Sequence, residues 1–455
     1  MEVGASKLRL ITFLGKGRYE EVRYIWSGEE GVPMAYQTRF IPEAIVYFLE
    51  APGKLEIKEV LVLVTEEVKQ GYNLGELQKR LTGKLKVKEI PEGRTEADLW
   101  NIFNEIVSEL KGKEEEIVLD ITHGFRSIPM IVFSVADYLR KIESITIRYI
   151  LYGAYDAGAY CSNGIKSVPV FDLTPLLDLI DWTGGLETFL RRGEATLIGE
   201  KMREKHASLY RQRDSNSSLP HKLQSVGKKL QTLSRSLHLA RAQEVLKDAH
   251  DLLELLEKAK SELEEWAKPF ATIIDRVRKE LEAFAYEDVD KLTRENLERQ
   301  LNLIRYYTSK ELLIQATLLA REWIVSYVIY RLHGECGDWT AREKREQAEK
   351  CLNDNTRDTP NRRLLQKCTK AIPYPLAVLL TGILRYLWRA FCNSLNGGST
   401  DRAIKLSPGL LECWRSLADL RNDLAHCGMR ENPIESDKIK SKVEEIVNKL
   451  EELFK

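Results

Sequence analysis

Glycine is distributed unevenly along this chain of 455 residues. Fifteen of its 27 glycines precede residue 180, whereas Gly227 is the only one between Gly199 and Gly334. Glycine is favoured in tight turns and disfavoured inside helices, because it lacks a Cβ atom. The distribution therefore predicts a first part rich in turns between strands and helices, followed by a second part that is mostly helical.

Four apolar, β-prone runs in the first part predict the strands of a parallel sheet. They lie at 8–14, 59–65, 116–122 and 145–152. Nearly continuous apolar runs are typical of strands that are buried on both faces. Helix patterns at 96–111 and 129–141 alternate with them, which predicts a doubly wound, Rossmann-like α/β domain. Shorter β-prone patterns at 37–40 and 168–172 are interpreted as edge strands.

From about Thr174 onward the sequence pattern is helical. The segment 223–260, rich in Leu, Ala, Lys and Glu, predicts a coiled or bundled connecting region, and 334–370 is interpreted as a polar excursion. Further helices are expected at 312–332, 375–395, 410–426 and 436–453. A length of 455 residues fits about three domains. We therefore predict an α/β domain at 1–175, a helical connector at 176–310 and an all-α C-terminal domain at 311–455.

The charge and cysteine content limit the possible functions. Lys plus Arg and Asp plus Glu both number 69, which argues against coating of nucleic acid through bulk charge but leaves room for a local basic pocket. Seven cysteines without a Cys-x-x-Cys pair favour a reducing cytoplasm over a disulfide framework or a zinc site. Because no run of about 18 apolar residues and no signal-peptide pattern occur, neither a membrane-spanning helix nor a leader is expected.

A polar turn at 120–129 follows the third apolar run. Its candidate ligand-binding residues are Thr122, His123, Gly124 and Arg126. Gly124 permits close backbone approach, Pro129 suits the first turn of a helix, and the amides of a helix start together with Arg126 favour an anion. Ligands of open α/β sheets bind at the carboxyl ends of the strands. The alternative is an ordinary turn whose hydroxyl side chains cap the following helix.

A second candidate segment, Gly15-Lys16-Gly17-Arg18-Tyr19, follows the first run, and its candidate ligand-binding residues are Gly15, Lys16, Gly17 and Arg18. Glycines with cations suit a phosphate-rich ligand, although the segment is neither a P-loop nor a dinucleotide fingerprint. Its expected place at the same sheet edge as the 120–129 turn strengthens this interpretation. The fourth run ends at Gly153, beside tyrosines that either form an aromatic wall for a base or simply pack.

A third motif, Arg421-Asn422-Asp423-Leu424-Ala425-His426, lies near the end of a helical pattern. Imidazole can accept and donate a proton near neutral pH, and guanidinium can hold a phosphate. Asn422 and His426 share one helix face, whereas Arg421 and His426 are about 140° apart on an ideal helix. The site then needs a long reach by Arg421 or residues from two chains. The alternative is a surface arginine and a histidine that favours the helix dipole.

Together these residues resemble the CARF–HEPN ribonucleases of type III CRISPR systems, in particular the Csx branch. The CARF resemblance lies in Leu14-Gly15-Lys16-Gly17 and in Asp120-x-Thr122-His123-Gly124-x-Arg126-x-x-Pro129. The HEPN resemblance lies in Arg421-Asn422-x-x-x-His426. The order of a Rossmann-like domain before a helical domain is also similar.

The resemblance implies a mechanism for antiviral defence. A cyclic oligoadenylate, made when the CRISPR effector meets foreign RNA, binds the CARF dimer, and the HEPN dimer then cuts single-stranded RNA without a metal or other cofactor. The implied catalytic residues are Arg421, Asn422 and His426. The implied ligand-binding residues are Gly15, Lys16, Gly17, Arg18, Thr122, His123, Gly124, Arg126 and Gly153. A homodimer or higher homo-oligomer suits a repetitive cyclic ligand on a two-fold axis.

Two other functions are compatible with the sequence. One is a CARF sensor without catalytic activity, whose helical part binds a partner or DNA. The other is a CARF domain that itself degrades its cyclic ligand. The sequence leaves open the ring size, the RNA base preference, assembly beyond a dimer and the role of 334–370.

Overall fold

The computed structural model describes residues 6–28, 32–51, 55–111, 116–123, 127–211, 219–356 and 406–455. Packing contacts divide the chain into two compact units, Met1–Ile180 and Asp181–Lys455. Each unit is described by itself. The predicted division of the helical part at residue 310 stays a prediction.

Within the described residues, nine strands of the first unit form one mixed sheet. They are β1 Ser6–Phe13, β2 Val22–Trp26, β3 Met34–Thr38, β4 Leu55–Val64, β5 Leu85–Glu89, β6 Glu116–Asp120, β7 Thr146–Gly153, β8 Ala159–Tyr160 and β9 Lys166–Asp172. Their order is β3-β2-β9-β7-β6-β1-β4-β5, and β8 pairs with β9. All four predicted strands are present, as β1, β4, β6 and β7.

The sheet is parallel from β5 to β7 and mixed beyond β7, where β2 and β9 pair in parallel. The strands β5, β4, β1, β6 and β7 pair in parallel. In contrast, β9 runs antiparallel to β7, and β3 runs antiparallel to β2. The prediction of an edge strand near 37–40 is confirmed by β3, which ends the sheet.

The prediction that 168–172 forms an edge strand is wrong. The strand β9 lies inside the sheet, between β7 and β2. Its alternate residues Val168 and Val170 are buried because the sheet continues on both sides of them. A half-polar strand therefore occupies an interior position that its sequence alone does not indicate.

Helices cover both faces of this sheet. They are α1 Ile41–Glu50, α2 Glu66–Lys69, α3 Tyr72–Arg80, α4 Glu96–Leu110 and α5 Ser127–Ile142. Leu10 and Ile11 of β1 are both fully buried and belong to different apolar clusters, one with α1 and α3 and the other with α4 and α5. Successive strand residues point to opposite faces, so the doubly wound arrangement predicted for this unit is confirmed.

The second unit is helical throughout its described part. Its helices, starting with one that crosses the boundary, are α6 Pro175–Arg192, α7 Thr196–Arg211, α8 Leu223–His238, α9 Ala242–Lys258, α10 Lys260–Trp266, α11 Lys268–Ala271, α12 Ile274–Glu282, α13 Arg294–Ser309, α14 Leu313–His333, α15 Arg342–Thr356, α16 Pro408–Ala425 and α17 Ser436–Phe454. The predicted bundled segment 223–260 consists of α8 and α9. Ala240 between them has a positive φ of 54°, which breaks the helix.

The interpretation of 334–370 as a polar excursion is wrong for its described part. The helix α15 occupies Arg342–Thr356, and Ala348 and Leu352 on one side of it are fully buried. Two apolar residues are enough to dock a helix whose other positions are polar. Residues 357–370 and the predicted helix at 375–395 lie outside the described residues.

The end of the chain is formed by α16 and α17, which confirm the helices predicted at 410–426 and 436–453. Ser407 caps α16, because its hydroxyl accepts a hydrogen bond from the Leu410 amide at 3.3 Å. Leu417 and Leu420 are buried in the same apolar core as Trp323 of α14. This packing fixes the position of the last turn of α16 within the unit.

Candidate functional site

The carboxyl ends of three neighbouring parallel strands carry the predicted ligand-binding residues of the first unit. The strands β1, β6 and β7 end at Phe13, Asp120 and Gly153, respectively. Because these strands are parallel neighbours, the segments that follow them meet at one edge of the sheet.

A chain of hydrogen bonds joins the three strand ends. The Thr12 hydroxyl donates to Asp120 Oδ2 at 2.6 Å, and Asp120 Oδ1 accepts from the Thr122 amide at 3.0 Å. The Thr122 hydroxyl in turn accepts from the Gly153 amide at 2.8 Å. Thr122 and Gly153, both predicted as ligand-binding residues, are thus brought together and held by the fully buried Asp120.

Burial controls the charge of this cluster. It raises the pKa of the Asp120 carboxyl above its usual value, although the charge of His123 and hydrogen bonds from Thr12 and Thr122 act in the opposite direction. Burial also lowers the pKa of the His123 imidazole, against the influence of Asp120. Both shifts favour the neutral forms of these groups.

The aromatic ring of Tyr19 lies against the imidazole of His123. The ring centroids are 4.4 Å apart and the planes differ by 14°, which is a stacked arrangement. The Tyr19 hydroxyl accepts from the Gly15 amide at 2.7 Å and donates to the Gly15 carbonyl at 3.2 Å. Burial raises the pKa of Tyr19 to about 12, so the phenol keeps its proton at neutral pH. This contact joins the Gly15 segment to His123.

The loop after β1 is also held by a residue that the sequence did not indicate. Asn73, at the start of α3, donates from Nδ2 to the carbonyls of Gly15 at 3.1 Å and Gly17 at 2.8 Å. Lys16 forms an exposed ion pair of 2.9 Å with Glu67, and Arg18 is exposed. An exposed pair of this kind is weak, so the Lys16 ammonium can exchange Glu67 for a ligand phosphate.

The structure therefore brings Gly15, Thr122, His123 and Gly153 together at one sheet edge. Two further residues of the sequence prediction, Gly124 and Arg126, lie outside the described residues. Tyr19 belongs to the predicted segment, but the sequence did not predict a role for it, because its contacts with Gly15 and His123 depend on the fold. Asn73 was missed because no local motif marks it.

The Arg421 motif lies at the end of α16 in the second unit. Arg421, Asn422 and His426 are all exposed, and His426 is the residue that directly follows the last helical turn. The Arg421 guanidinium donates from Nη1 to Asn422 Oδ1 at 3.3 Å. Among the described residues, no side-chain hydrogen bond joins either of them to the His426 imidazole. The end of α16 thus exposes a guanidinium, an amide and an imidazole to solvent.

Asp423, inside the motif, has a structural role. Its side chain is buried, and Oδ1 accepts from the Ile434 amide at 3.2 Å and faces Arg430 at 3.7 Å. The chain reverses immediately after the helix, where Cys427 and Gly428 have φ angles of 53° and 69°. Asp423 therefore fixes this turn, while its neighbours face solvent.

The described residues contain neither a metal-ligand cluster nor a membrane-spanning helix. No three His, Cys, Asp or Glu side chains in this part of the chain form a group that could hold a metal ion. None of the helices in the same part is both long enough and apolar enough to span a bilayer.

Comparisons with known proteins match both units. Residues 9–156 match the model of the CARF domain of the CRISPR system endoribonuclease Csx1, and residues 178–287 match that of the second domain of the CRISPR-associated protein MJ1674. The CRISPR-associated protein MJ1674 of Methanocaldococcus jannaschii is 25% identical over 220 residues, which cover 48% of this chain. The match spans only 31% of that protein's own length.

One solved structure is also similar, at a lower sequence identity. Csm6 of Enterococcus italicus, bound to cyclic hexa-2'-fluoro-hexa-dAMP, aligns with 13% identity and a TM-score of 0.39, covering 99% of this chain and 94% of that one. The family matches apply to specific segments. The mixed sheet of the first unit is similar to the CARF domain of Csx1, and the segment that follows is similar to the second domain of another CRISPR-associated protein.

Proposed function

We propose that this protein is an endoribonuclease of type III CRISPR antiviral defence, activated by a cyclic oligoadenylate that binds its first unit. The observation that carries the proposal is the match of 9–156 to the Csx1 CARF domain, together with a sheet edge where Gly15, Thr122, His123 and Gly153 meet. The activity is proposed to reside in Arg421, Asn422 and His426, in a helical domain of HEPN type.

The sheet edge has the chemistry that an oligoadenylate requires. Exposed Lys16 and Arg18 supply positive charge for phosphodiesters. Gly15 and Gly153 lack a Cβ atom, and the space this leaves is taken by Tyr19 at Gly15 and by Thr122 and Ile41 at Gly153, which lets the three strand ends pack closely. Burial raises the pKa of the Asp120 carboxyl, which lessens its repulsion toward an anion. Gly124 and Arg126 are proposed to complete the cradle, as the family resemblance implies.

The exposed end of α16 suits cleavage of RNA without a metal. The RNA 2'-hydroxyl oxygen attacks the adjacent phosphorus, and the bond from phosphorus to the 5' oxygen breaks, which leaves a 2',3'-cyclic phosphate and a 5'-hydroxyl. His426 accepts the hydroxyl proton, and the partner subunit's His426 gives a proton to the leaving oxygen. Arg421 stabilises the negative charge that develops on the phosphoryl oxygens, and Asn422 holds the guanidinium in place.

A dimer is part of this proposal. Each chain has one imidazole in the motif, whereas the reaction uses both a base and an acid. Two motifs that face each other supply both, and the same symmetry suits a cyclic, repetitive ligand at the sensor end. The balanced total charge of 69 cations and 69 anions is compatible with RNA that enters a local groove.

The test is incubation of the purified protein with end-labelled single-stranded RNA in EDTA, with and without cyclic oligoadenylates of different ring size. Cleavage that needs the ligand and leaves 2',3'-cyclic phosphate ends supports the proposal. Ligand binding without RNA cleavage identifies a non-catalytic sensor instead. Failure to bind any cyclic oligoadenylate contradicts the proposal at its sensor end.

A further inference from the structure

A cavity of about 440 Å³ lies beside the loop that follows β1. The residues of its lining that bear charge or hydrogen-bonding groups include Lys16, Arg18, Tyr19, Arg39, Tyr72 and Asn73. Its volume is within the range of about 300–1,000 Å³ that is usual for small-molecule sites. Three of these side chains are cationic, and no carboxylate belongs to the described lining. The cavity therefore suits an anion.

Arg39, between β3 and α1, is the residue that most needs such a partner. Its Nε atom is buried and has no hydrogen-bond partner among the described residues. Glu76 is near enough to interact with the charge of Arg39, but its carboxylate pairs with Lys79 at 2.8 Å. A buried donor of a permanently charged group costs free energy when it is left unpaired. Because Arg39 lines the cavity, an anion bound there would offset the positive charge of its guanidinium.

The start of α3 adds to the positive field. Gly71 precedes this nine-residue helix, and no side chain caps it. The first amides of a helix lack partners within the helix and favour negative charge. Tyr72, the first helical residue, is 70% exposed and offers an aromatic face at the cavity.

A neighbouring cavity provides a contrast. It measures about 200 Å³, also borders Gly15 and Lys16, and is lined by Glu67, Glu92 and apolar side chains. Carboxylates repel a phosphate, so this cavity lacks the chemistry of an anion site. The distribution of charge favours the larger cavity.

We propose that the larger cavity binds one adenylate unit of the ligand, with its phosphate on Arg39 and Arg18 and its adenine stacked on Tyr72. The nature of the ligand rests on the proposed function, whereas the anion site rests on the cavity itself. Arg39 and Tyr72 are thus binding residues in addition to those of the β1, β6 and β7 ends.

The experiment compares wild type with Arg39→Gln and Tyr72→Ala. The matched control is Arg23→Gln, since Arg23 is an exposed arginine of β2 that does not line the cavity. Binding of cyclic tetraadenylate, cyclic hexaadenylate and inorganic phosphate is measured by calorimetry, and melting temperatures are recorded without ligand. Arg39→Gln should weaken binding of the preferred ring by about tenfold or more, as expected for a charged hydrogen bond.

Other results separate the roles of these side chains. Arg39→Gln should change the melting temperature of the free protein little, since Nε has no partner to lose and Glu76 keeps its pair with Lys79. Tyr72→Ala should weaken binding of the cyclic ligand but leave that of phosphate unchanged. The inference would be overturned if wild type and Arg39→Gln bound the cyclic ligand with equal affinity. It would also be overturned if Arg39→Gln and Arg23→Gln lost affinity equally. Either result leaves the proposed function intact. If wild type binds no cyclic oligoadenylate but binds phosphate through Arg39, the proposed function fails and the anion site stands.

Discussion

The hydrogen bond between the Thr122 hydroxyl and the Gly153 amide allows a specific test of the sheet edge. Thr122→Val keeps the shape of the side chain and removes the acceptor, so the Gly153 amide loses its partner. Leaving such a group unpaired costs about 1–2 kcal/mol at a half-buried position. This corresponds to a roughly 5- to 30-fold loss in the protection of the Gly153 amide from hydrogen exchange. Because the end of β7 then loses one of its contacts with the segment after β6, we expect cyclic oligoadenylate to bind about tenfold more weakly.

Thr174→Val is the matched control for this substitution. The Thr174 hydroxyl accepts from the Ile150 amide at 2.9 Å, which is the same kind of bond to the same strand but three residues before its end. The assay is hydrogen exchange of peptides that cover β7, combined with ligand titration of both variants. In Thr174→Val, the Ile150 amide should lose protection from hydrogen exchange by a similar factor, whereas the affinity for cyclic oligoadenylate should not change. If both variants bind as tightly as wild type, the Thr122 bond does not organise the ligand site.

Four further results are expected. His426→Ala should slow RNA cleavage by about 10²- to 10⁴-fold and leave ligand affinity unchanged, as measured by single-turnover cleavage and calorimetry. Arg421→Ala should slow cleavage comparably, and Arg421→Lys should restore little of it, because an ammonium lacks the planar fork of guanidinium. RNA with a 2'-deoxy sugar at the cut position should resist cleavage, which gel analysis of the products checks. Because burial raises the pKa of Asp120, the folded state loses stability as pH rises from about 4 through that pKa. Urea unfolding across this pH range should therefore show that Asp120→Asn gains stability relative to wild type as pH rises. If the difference in free energy of unfolding between the two proteins stays constant with pH, the pKa of Asp120 is not raised.

The main elements of the fold were predictable because their apolar patterns are local. The strands β1, β4, β6 and β7 are nearly continuous apolar runs, and α16 and α17 have clear helical periodicity. The strand β5, Leu85–Glu89, was missed because polar residues alternate along an edge strand. The interior position of β9 and the docking of α15 depend on partners elsewhere in the chain, which a local pattern does not identify.

The candidate site was predictable to the extent that topology determines it. Parallel strands place their carboxyl ends at one edge, so the proximity of Gly15, Thr122 and Gly153 follows from correct strand assignment. Asn73 lies 58 residues from Gly15 in the sequence, and only the folded chain brings its amide to that loop. The burial of Arg39 Nε without a hydrogen-bond partner among the described residues is likewise a property of packing. The catalytic roles of Arg421, Asn422 and His426 stay predictions.

We propose that a ligand at the sheet edge of the first unit controls cleavage at His426. A thousandfold activation requires about 4 kcal/mol of difference in ligand affinity between the inactive and active states. The most direct measurement is the rate of RNA cleavage in EDTA as a function of cyclic oligoadenylate concentration, for wild type, Thr122→Val and His426→Ala. We expect Thr122→Val to need about tenfold more ligand yet reach the wild-type maximum, and His426→Ala to bind ligand without cleaving RNA. A wild-type cleavage rate that does not change with ligand concentration, or cleavage by His426→Ala at the wild-type rate, would contradict the claim.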